Sequence, residues 1–278
     1  MINYTKSFFN LRILKLSEIL LHEATESNRL RNIYSRIARS RFLMNPVIVG
    51  KYGEEYVLID GANRAGSLKE IGCKLILAQI INYKSPDVKL LTWDHLIYNF
   101  DLHMLDRFAI RHNLKYELIE GVISKPIVEN KDDNIFATEI ESGKTLSIEL
   151  PYEFFDKIKA ITNLTKLYFH KFNFDRSESE ISISELRKYS RRNGVLIKFP
   201  AFSKQQIMRI ARSSHHLPAG ISRHIVVNRV LHVKYDIEKL KSTSGIETKQ
   251  KELEDLLLKK IDSNKVRQYT ESVIVFDE

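Results

Sequence analysis

The chain has 278 residues, with 44 Lys and Arg against 35 Asp and Glu, a formal net charge of +9 and one cysteine, Cys73. Hydrophobic residues make up 43% and charged residues 28%, which excludes wholesale disorder, and 10 Gly and 6 Pro exclude a collagen-like or linker-dominated chain. A single thiol excludes an internal disulfide and a cysteine-based zinc site. No apolar run approaches the ~18–20 residues of a membrane helix, and the N-terminus lacks the basic-then-apolar layout of a signal peptide, so a cytoplasmic protein without membrane contact is expected. The basic balance suits phosphates, in nucleic acid or in a nucleotide, and equally suits a solvated face.

In chain order, residues 11–16 alternate as a strand does. A turn through Leu21, His22, Glu23 and Ala24 follows. Leu30, Ile33, Tyr34 and Ile37 recur at helical spacing and predict a helix over 26–39, which Asn45-Pro46 shuts off. Residues 47–49 and 56–59 read as strands joined by a hairpin turn at 51–55. Asp60-Gly61 ends the second, and 62–71 reads as a helix closed by Gly72. A strand over 75–81 and a helix over 86–100 complete a domain-sized α/β unit.

Beyond Lys115 strand-like runs dominate, at 116–123, 135–139 and 145–150, with a helix at 152–161. Residues 167–174 are aromatic-rich and ambiguous, and 175–180 read as a polar loop. A strand at 195–200, a helix at 203–212, a loop at 213–223, a strand at 225–233, a charged helix at 249–261 and an edge strand at 272–276 finish the chain. There is no internal repeat. A boundary between 102 and 115 divides the chain into 1–108 and 109–278. The expected class is α/β (α+β), with the site between the two parts.

The most informative local feature is Ile59-Asp60-Gly61-Ala62-Asn63-Arg64, ahead of the helix that Gly72 closes. A carboxylate ends a strand, and a Gly turn opens a helix N-terminus carrying an Arg in its first turn. Free N–H groups, positive potential and a guanidinium make a phosphate site. Asp60 beside it could hold Mg²⁺ against the same phosphate. The same residues also suit a tight turn with an Asp N-cap and an incidental surface Arg.

Asp-Gly-x-x-Arg, with Gly eight residues after the Arg, resembles the Asp-Gly-His-His-Arg element of the ParB/sulfiredoxin-like fold. More closely, the chain resembles the free-serine kinases built on that fold, which make O-phospho-L-serine from L-serine and ATP or ADP. Three further stretches carry the resemblance. Leu21-His22-Glu23, followed by Arg29-Leu30, resembles the element with the family's catalytic glutamate. Thr92-Trp93-Asp94-His95 falls where the family has a substrate-side tryptophan. Leu217-Pro218-Ala219-Gly220-Ile221-Ser222-Arg223-His224, followed by Arg229-Val230-Leu231, resembles the C-terminal Pro-x-Gly-[Ile/Val]-[Ser/Thr]-Arg-His element. The likeness spans about residues 11–240.

The resemblance implies a ParB/sulfiredoxin-like N-terminal domain and a C-terminal α+β domain that completes the nucleotide site. It implies a nucleotide-dependent serine kinase with Mg²⁺, of the kind found in cysteine synthesis and in siderophore clusters. Glu23 becomes the general base and Asp60 the metal or phosphate-side carboxylate. Gly61, Asn63 and Arg64 hold the transferred phosphate. Gly220, Ser222, Arg223 and His224 take the nucleotide phosphates, and Trp93 and His95 lie on the serine side. Asn63 departs from the pattern: the family has His there, and Asn can donate a hydrogen bond but cannot carry a charge or shuttle a proton.

Other signals fit less well. Arg29, Arg31, Arg36, Arg39 and Arg41 form an acid-free basic run, and Arg187-Lys188 with Arg191-Arg192 a second cluster. Together with Asn63 they keep open a ParB-like DNA-binding regulator with lost or altered catalysis, though no clear helix-turn-helix follows. His215-His216 suggests exposed loop histidines, because adjacent side chains diverge. No Gly-x-x-x-x-Gly-Lys-[Ser/Thr] is present, so a kinase here is not a P-loop enzyme.

Overall fold

The computed structural model describes residues 9–119, 133–178, 185 and 194–268. The first sheet comprises β1 (Leu11–Lys15), β2 (Ile19–Leu21), β4 (Val47–Tyr52), β5 (Glu55–Asp60) and β6 (Leu75–Asn82), in the order β1-β6-β4-β5-β2. β4 runs parallel to β6 and β2 parallel to β5, while the other pairings are antiparallel. Helices α1 (Ser27–Arg39) and α2 (Ala62–Glu70) pack side by side. A two-residue strand, β3 (Phe42–Leu43), lies between α1 and β4 in the chain.

β4 and β6 are nearly continuous apolar runs because both of their faces are covered. Alternation sorts β4 and β5 between two cores. Val47, Val49 and Leu58 join Ala65, Leu68 and Leu77 in one, and Ile48, Val57 and Ile59 join the hydrophobic interior of the second half in the other.

That second half is built on a sheet whose pairings among the described residues are all antiparallel. Its members are β7 (Lys89–Tyr98), β8 (Tyr116–Ile119), β9 (Asn134–Glu139), β10 (Thr145–Glu149), β11 (Phe174–Glu178), β12 (Gly194–Lys198) and β13 (Ser222–Ile225), in the order β11-β7-β12-β9-β10-β8 with β13 also on β7. Helices α3 (Leu102–Arg111), α4 (Phe154–Thr165) and α5 (Lys204–Ala211) accompany it. β14 (Tyr235–Asp236) then pairs with β3, and α6 (Ile246–Asp262) contacts β1. Val233, Tyr235, Ile237, Leu240 and Leu253 thereby bury themselves in the first core.

Three expectations change. The helix predicted over 86–100 is the strand β7, and helix begins only after Asp101, whose carboxylate accepts the His103 N–H at 2.8 Å. The run Leu-Leu-Thr-Trp-Asp-His-Leu-Ile-Tyr carries a strand as well as a helix by pattern, and pairing with β13, β11 and β12 decides it. The predicted loop at 175–180 is, over its described part, strand β11: a polar edge strand has no apolar alternation to betray it. The strand predicted over 225–233 stops at Ile225, because Asn228 and His232 adopt positive φ (55° and 56°) and break the extended run.

The first sheet gives way to the second between β6 and β7, ahead of the 108/109 division drawn from composition. The cluster at 187–192 and the edge strand at 272–276 lie outside the described residues, as does the end of the 116–123 run.

Ile48 is 3% exposed on the face shared with the second core. Ile48→Ala should cost about 2–4 kcal/mol through the cavity it leaves. A lower urea midpoint, with fluorescence and circular dichroism moving together, is the expected reading.

Candidate active site

The candidate site forms where the end of β2 meets the turn before β13. Leu217 N–H donates to the His22 carbonyl and Ala24 N–H to the Leu217 carbonyl, both at 2.8 Å, so Glu23 is clipped beside Leu217 in a parallel bridge. Its carboxylate reaches along the turn. Oε2 accepts the Gly220 N–H at 3.0 Å, and Oε1 accepts the Ser222 N–H at 2.6 Å and the Ser222 hydroxyl at 2.7 Å. Two stretches about 200 residues apart in the chain are thus joined through one charged acceptor, whose hydrogen bonds are stronger than neutral ones.

Gly220 is required there on two counts. Its φ is +77°, and a Cβ would stand 2.0 Å from Arg176 Nε. Arg176, on β11, donates to Glu26 Oε2 at 2.9 Å and to the Ala219 carbonyl at 3.3 Å. Asn63 Oδ1 accepts the Glu26 N–H at 3.2 Å. The side chain at the family's His position is therefore turned back onto the Glu23–Glu26 loop.

Asp60, Gly61 and Arg64 lie at the opening of α2. Gly61 caps the helix at φ +98°, and no side chain caps its first N–H groups, so the Asp60 N-cap does not form. Instead Asp60 Oδ2 accepts Arg64 Nη2 at 2.6 Å and also pairs with Arg229. Arg64 Nη1 donates to the Asn45 carbonyl at 3.2 Å and to the Pro46 carbonyl. Burial, opposed by Asp60, draws the Arg64 guanidinium down from its ordinary value, and Arg229 and Arg29 add to the effect. Arg64 is thus engaged by the protein, while Arg229 and Arg29 are the exposed cations of this cluster.

On β7, Trp93 donates its backbone N–H to the Ile221 carbonyl at 3.0 Å, and the Arg223 guanidinium lies 4.5 Å from its ring centre. Trp93 therefore faces the 220–223 turn from a strand, not from a helix. His95 goes elsewhere: it is fully buried among Phe174, Phe199 and Tyr168. Its Nδ1 lies 2.5 Å from the Tyr168 hydroxyl and its Nε2 2.9 Å from the Gly220 carbonyl. Burial pushes it down to about 3, so a neutral, fully buried His95 holds the Gly220 carbonyl from behind the turn.

His224 Nε2 lies 2.8 Å from the Tyr83 hydroxyl, and the His224 ring meets His22 edge-on at 5.4 Å. Burial, then the nearby His22 and Lys204, hold His224 well below the ordinary histidine range. It is a neutral donor or acceptor there, not a cation for phosphate. His215 stacks on Phe155 and His216 is exposed, so the two act separately.

His22, Glu26, Tyr83, Arg176 and Arg229 escape the sequence reading. Only His22 and Arg229 carried a signal, by standing inside motif stretches, while Arg176 sat in a segment read as loop. Among the described residues no three His, Cys, Asp or Glu side chains group as metal ligands. Asp60 already faces two guanidiniums, so these residues do not build a magnesium cage of their own.

The chain is a mixed α/β protein with the fold of the free-serine kinases. No family profile matches it. It is 22% identical over 247 residues, 86% of this chain and 87% of the other, to the ATP-dependent L-serine kinase SbnI of Staphylococcus aureus. The structure of a C-terminally truncated form of that protein superposes with a TM-score of 0.70 over 91% of this chain and 97% of the other, at 21% identity. A free serine kinase in complex with AMP superposes with a TM-score of 0.68, covering 84% of this chain and 94% of the other at 19% identity. The ADP-dependent L-serine kinase SerK of Thermococcus kodakarensis is 29% identical over 120 residues, 42% of this chain and 47% of the other.

Gly220→Ala should lose at least about 2 kcal/mol, since a positive φ costs ~1–3 kcal/mol before the Arg176 collision is counted; thermal unfolding reads this. Stability should also fall on acidification from pH 7 to 5. His22, His95 and His224 have lowered values in the fold, so the unfolded chain binds protons that the native one refuses. Each contributes up to about 1.4 kcal/mol per pH unit below about 6.5. Asp94, pushed up to about 6 by burial despite Lys198, takes up a proton in the fold and offsets part of this loss. Urea midpoints at the two pH values check the net fall.

Proposed function

We propose that this protein is a nucleotide-dependent kinase that transfers the terminal phosphate of ATP or ADP to the hydroxyl of free L-serine, giving O-phospho-L-serine. One observation carries the reading: the Glu23 carboxylate is held by Gly220 and Ser222, and the adjoining loop is tied through Glu26 to Asn63 in the first turn of α2. A fixed base thus stands near a helix opening suited to a phosphate. The names of the relatives point the same way.

In this reading Glu23 takes the proton of the serine hydroxyl as the serine oxygen bonds to the terminal phosphorus and the phosphoanhydride bond breaks, releasing ADP or AMP. The N–H groups after Gly61 receive the transferred phosphoryl group, with Asn63 beside them. Asp60, Arg64 and Arg229 set the charge at that end: two guanidiniums against one carboxylate leave a net positive field for an anion. Arg223 and the neutral His224 face the donor's phosphates, Ser222 instead anchors Glu23, and Trp93 walls the serine side. Phosphoryl transfer asks for little more than this positioning and charge.

Magnesium belongs to this reading as the nucleotide's companion, bound through phosphates and water. Asp60, paired with two arginines, is not assigned as its resident ligand. No helix among the described residues is long and apolar enough to cross a membrane, and a cytoplasmic setting accords with these substrates. Neither the geometry nor the relatives support the DNA-binding alternative.

The test is ³¹P NMR of the purified protein with L-serine, Mg²⁺ and ATP or ADP in turn. A phosphomonoester signal that needs both serine and protein is expected, and silence with both donors from a folded protein would overturn the assignment. Glu23→Gln should lower kcat by about 10²-fold or more, as loss of a general base does, with nucleotide affinity little changed by isothermal titration.

A further inference from the structure

The hydrogen bonds around Glu23 can be counted to the last proton. A carboxylate has four lone-pair positions, two on each oxygen, and no proton to give. Oε1 accepts both the N–H and the hydroxyl of Ser222, which fills it, whereas Oε2 accepts only the Gly220 N–H among the described residues. The two oxygens are therefore unequal: Oε1 is an anchor, and Oε2 keeps a lone pair for a proton.

The anchor depends on which way the Ser222 hydroxyl points. Ser222 Oγ has one proton and two close neighbours, Glu23 Oε1 at 2.7 Å and His22 Nε2 at 2.7 Å. If the hydroxyl donates to the carboxylate, His22 must donate to the hydroxyl, so its proton is on Nε2. His22 Nδ1 is then a bare acceptor beside the Leu58 carbonyl, a cost between two neutral groups that this arrangement carries. The rival arrangement puts the His22 proton on Nδ1, near the Leu58 carbonyl, and turns the Ser222 hydroxyl toward Nε2. Glu23 Oε1 and Ser222 Oγ would then face each other at 2.7 Å, lone pair against lone pair, in a buried setting where such a contact is costly.

We infer that His22 is a positioning residue: its Nε2–H commits the Ser222 hydroxyl to Glu23 Oε1, which leaves Oε2 as the oxygen that receives the substrate's proton. This deepens the reading of Glu23 as general base and rests on it. His22 touches neither substrate in this account and acts through Ser222. The His22 backbone carbonyl, by accepting Leu217 N–H, brings the same turn into reach, so one residue sets both the placement of the turn and the direction of its hydrogen bonds.

Two variants and one spectrum test this. His22→Leu removes the donor, and His22→Gln replaces it with an amide N–H at similar reach. The leucine variant should lose about 10- to 100-fold in kcat, the scale of a misaligned catalytic group, with serine and nucleotide KM within about threefold. The glutamine variant should recover most of that loss. Equal losses in both variants, or no loss in the leucine variant, would overturn the proposal.

Because a core substitution can disturb folding, ¹⁵N NMR of the histidine-labelled wild-type protein gives an independent reading. A neutral His22 protonated on Nε2 is expected, and a neutral His22 protonated on Nδ1 would refute the arrangement whatever the variants do. If the wild type shows no serine-dependent turnover, the function proposed above fails by itself, and the spectrum still decides the hydrogen-bond direction.

Discussion

Everything else in the structure hangs on one sheet that is buried on both faces. Alternate side chains of β4 and β5 supply two different cores, so neither half can be lifted away without exposing Ile48, Val57 and Ile59 on one side or Val47, Val49 and Leu58 on the other. Burial on this scale is the main favourable contribution to folding. It is also what fixes the site, because Asp60 ends β5 and Glu23 follows two residues after the end of β2, so both emerge from the strands of this sheet.

The polar groups at the junction are arranged in layers. Glu23 meets Gly220 and Ser222 directly. Behind them, His95 holds the Gly220 carbonyl, Arg176 fills the space that a side chain at 220 would need, and Tyr83 holds His224. These supports are neutral or paired, as groups removed from water must be. The layer nearest solvent carries the excess positive charge, on exposed Arg29 and on Arg229, which shares Asp60 with Arg64, where an anion arriving from water would meet it.

The same division explains the departure at Asn63. A histidine there could bring charge to the helix opening, whereas Asn63 accepts a backbone hydrogen bond from Glu26 and so stiffens the loop that carries Glu23. The positive field at this end comes from arginines on α1, α2 and the segment after β13, which belong to three separate stretches of chain.

Much of this was legible in the sequence, and the limits are physical. Local signals sufficed where the chain's own neighbours decide the outcome. The helical spacing of Leu30, Ile33 and Ile37, the hairpin at 51–55, the Asp60-Gly61 turn and the helix opening at Ser203 all appear where the pattern puts them. The motif stretches around Glu23 and Gly220 could be read as belonging together only through their likeness to a family.

What the sequence could not settle needed partners from afar. β7 reads equally as helix or strand until three other strands flank it, and β11 is too polar to be seen as a strand without β7. His95, beside Trp93, looks like a site residue until the aromatic core closes over it. Sequence by itself determined the elements whose local pattern is unambiguous and the chemistry on offer, because periodicity and turn residues act over a few positions. Only the tertiary structure decided which carboxylate, which histidine and which arginine remain available, because burial and hydrogen-bond commitment are set by residues as much as 200 positions away.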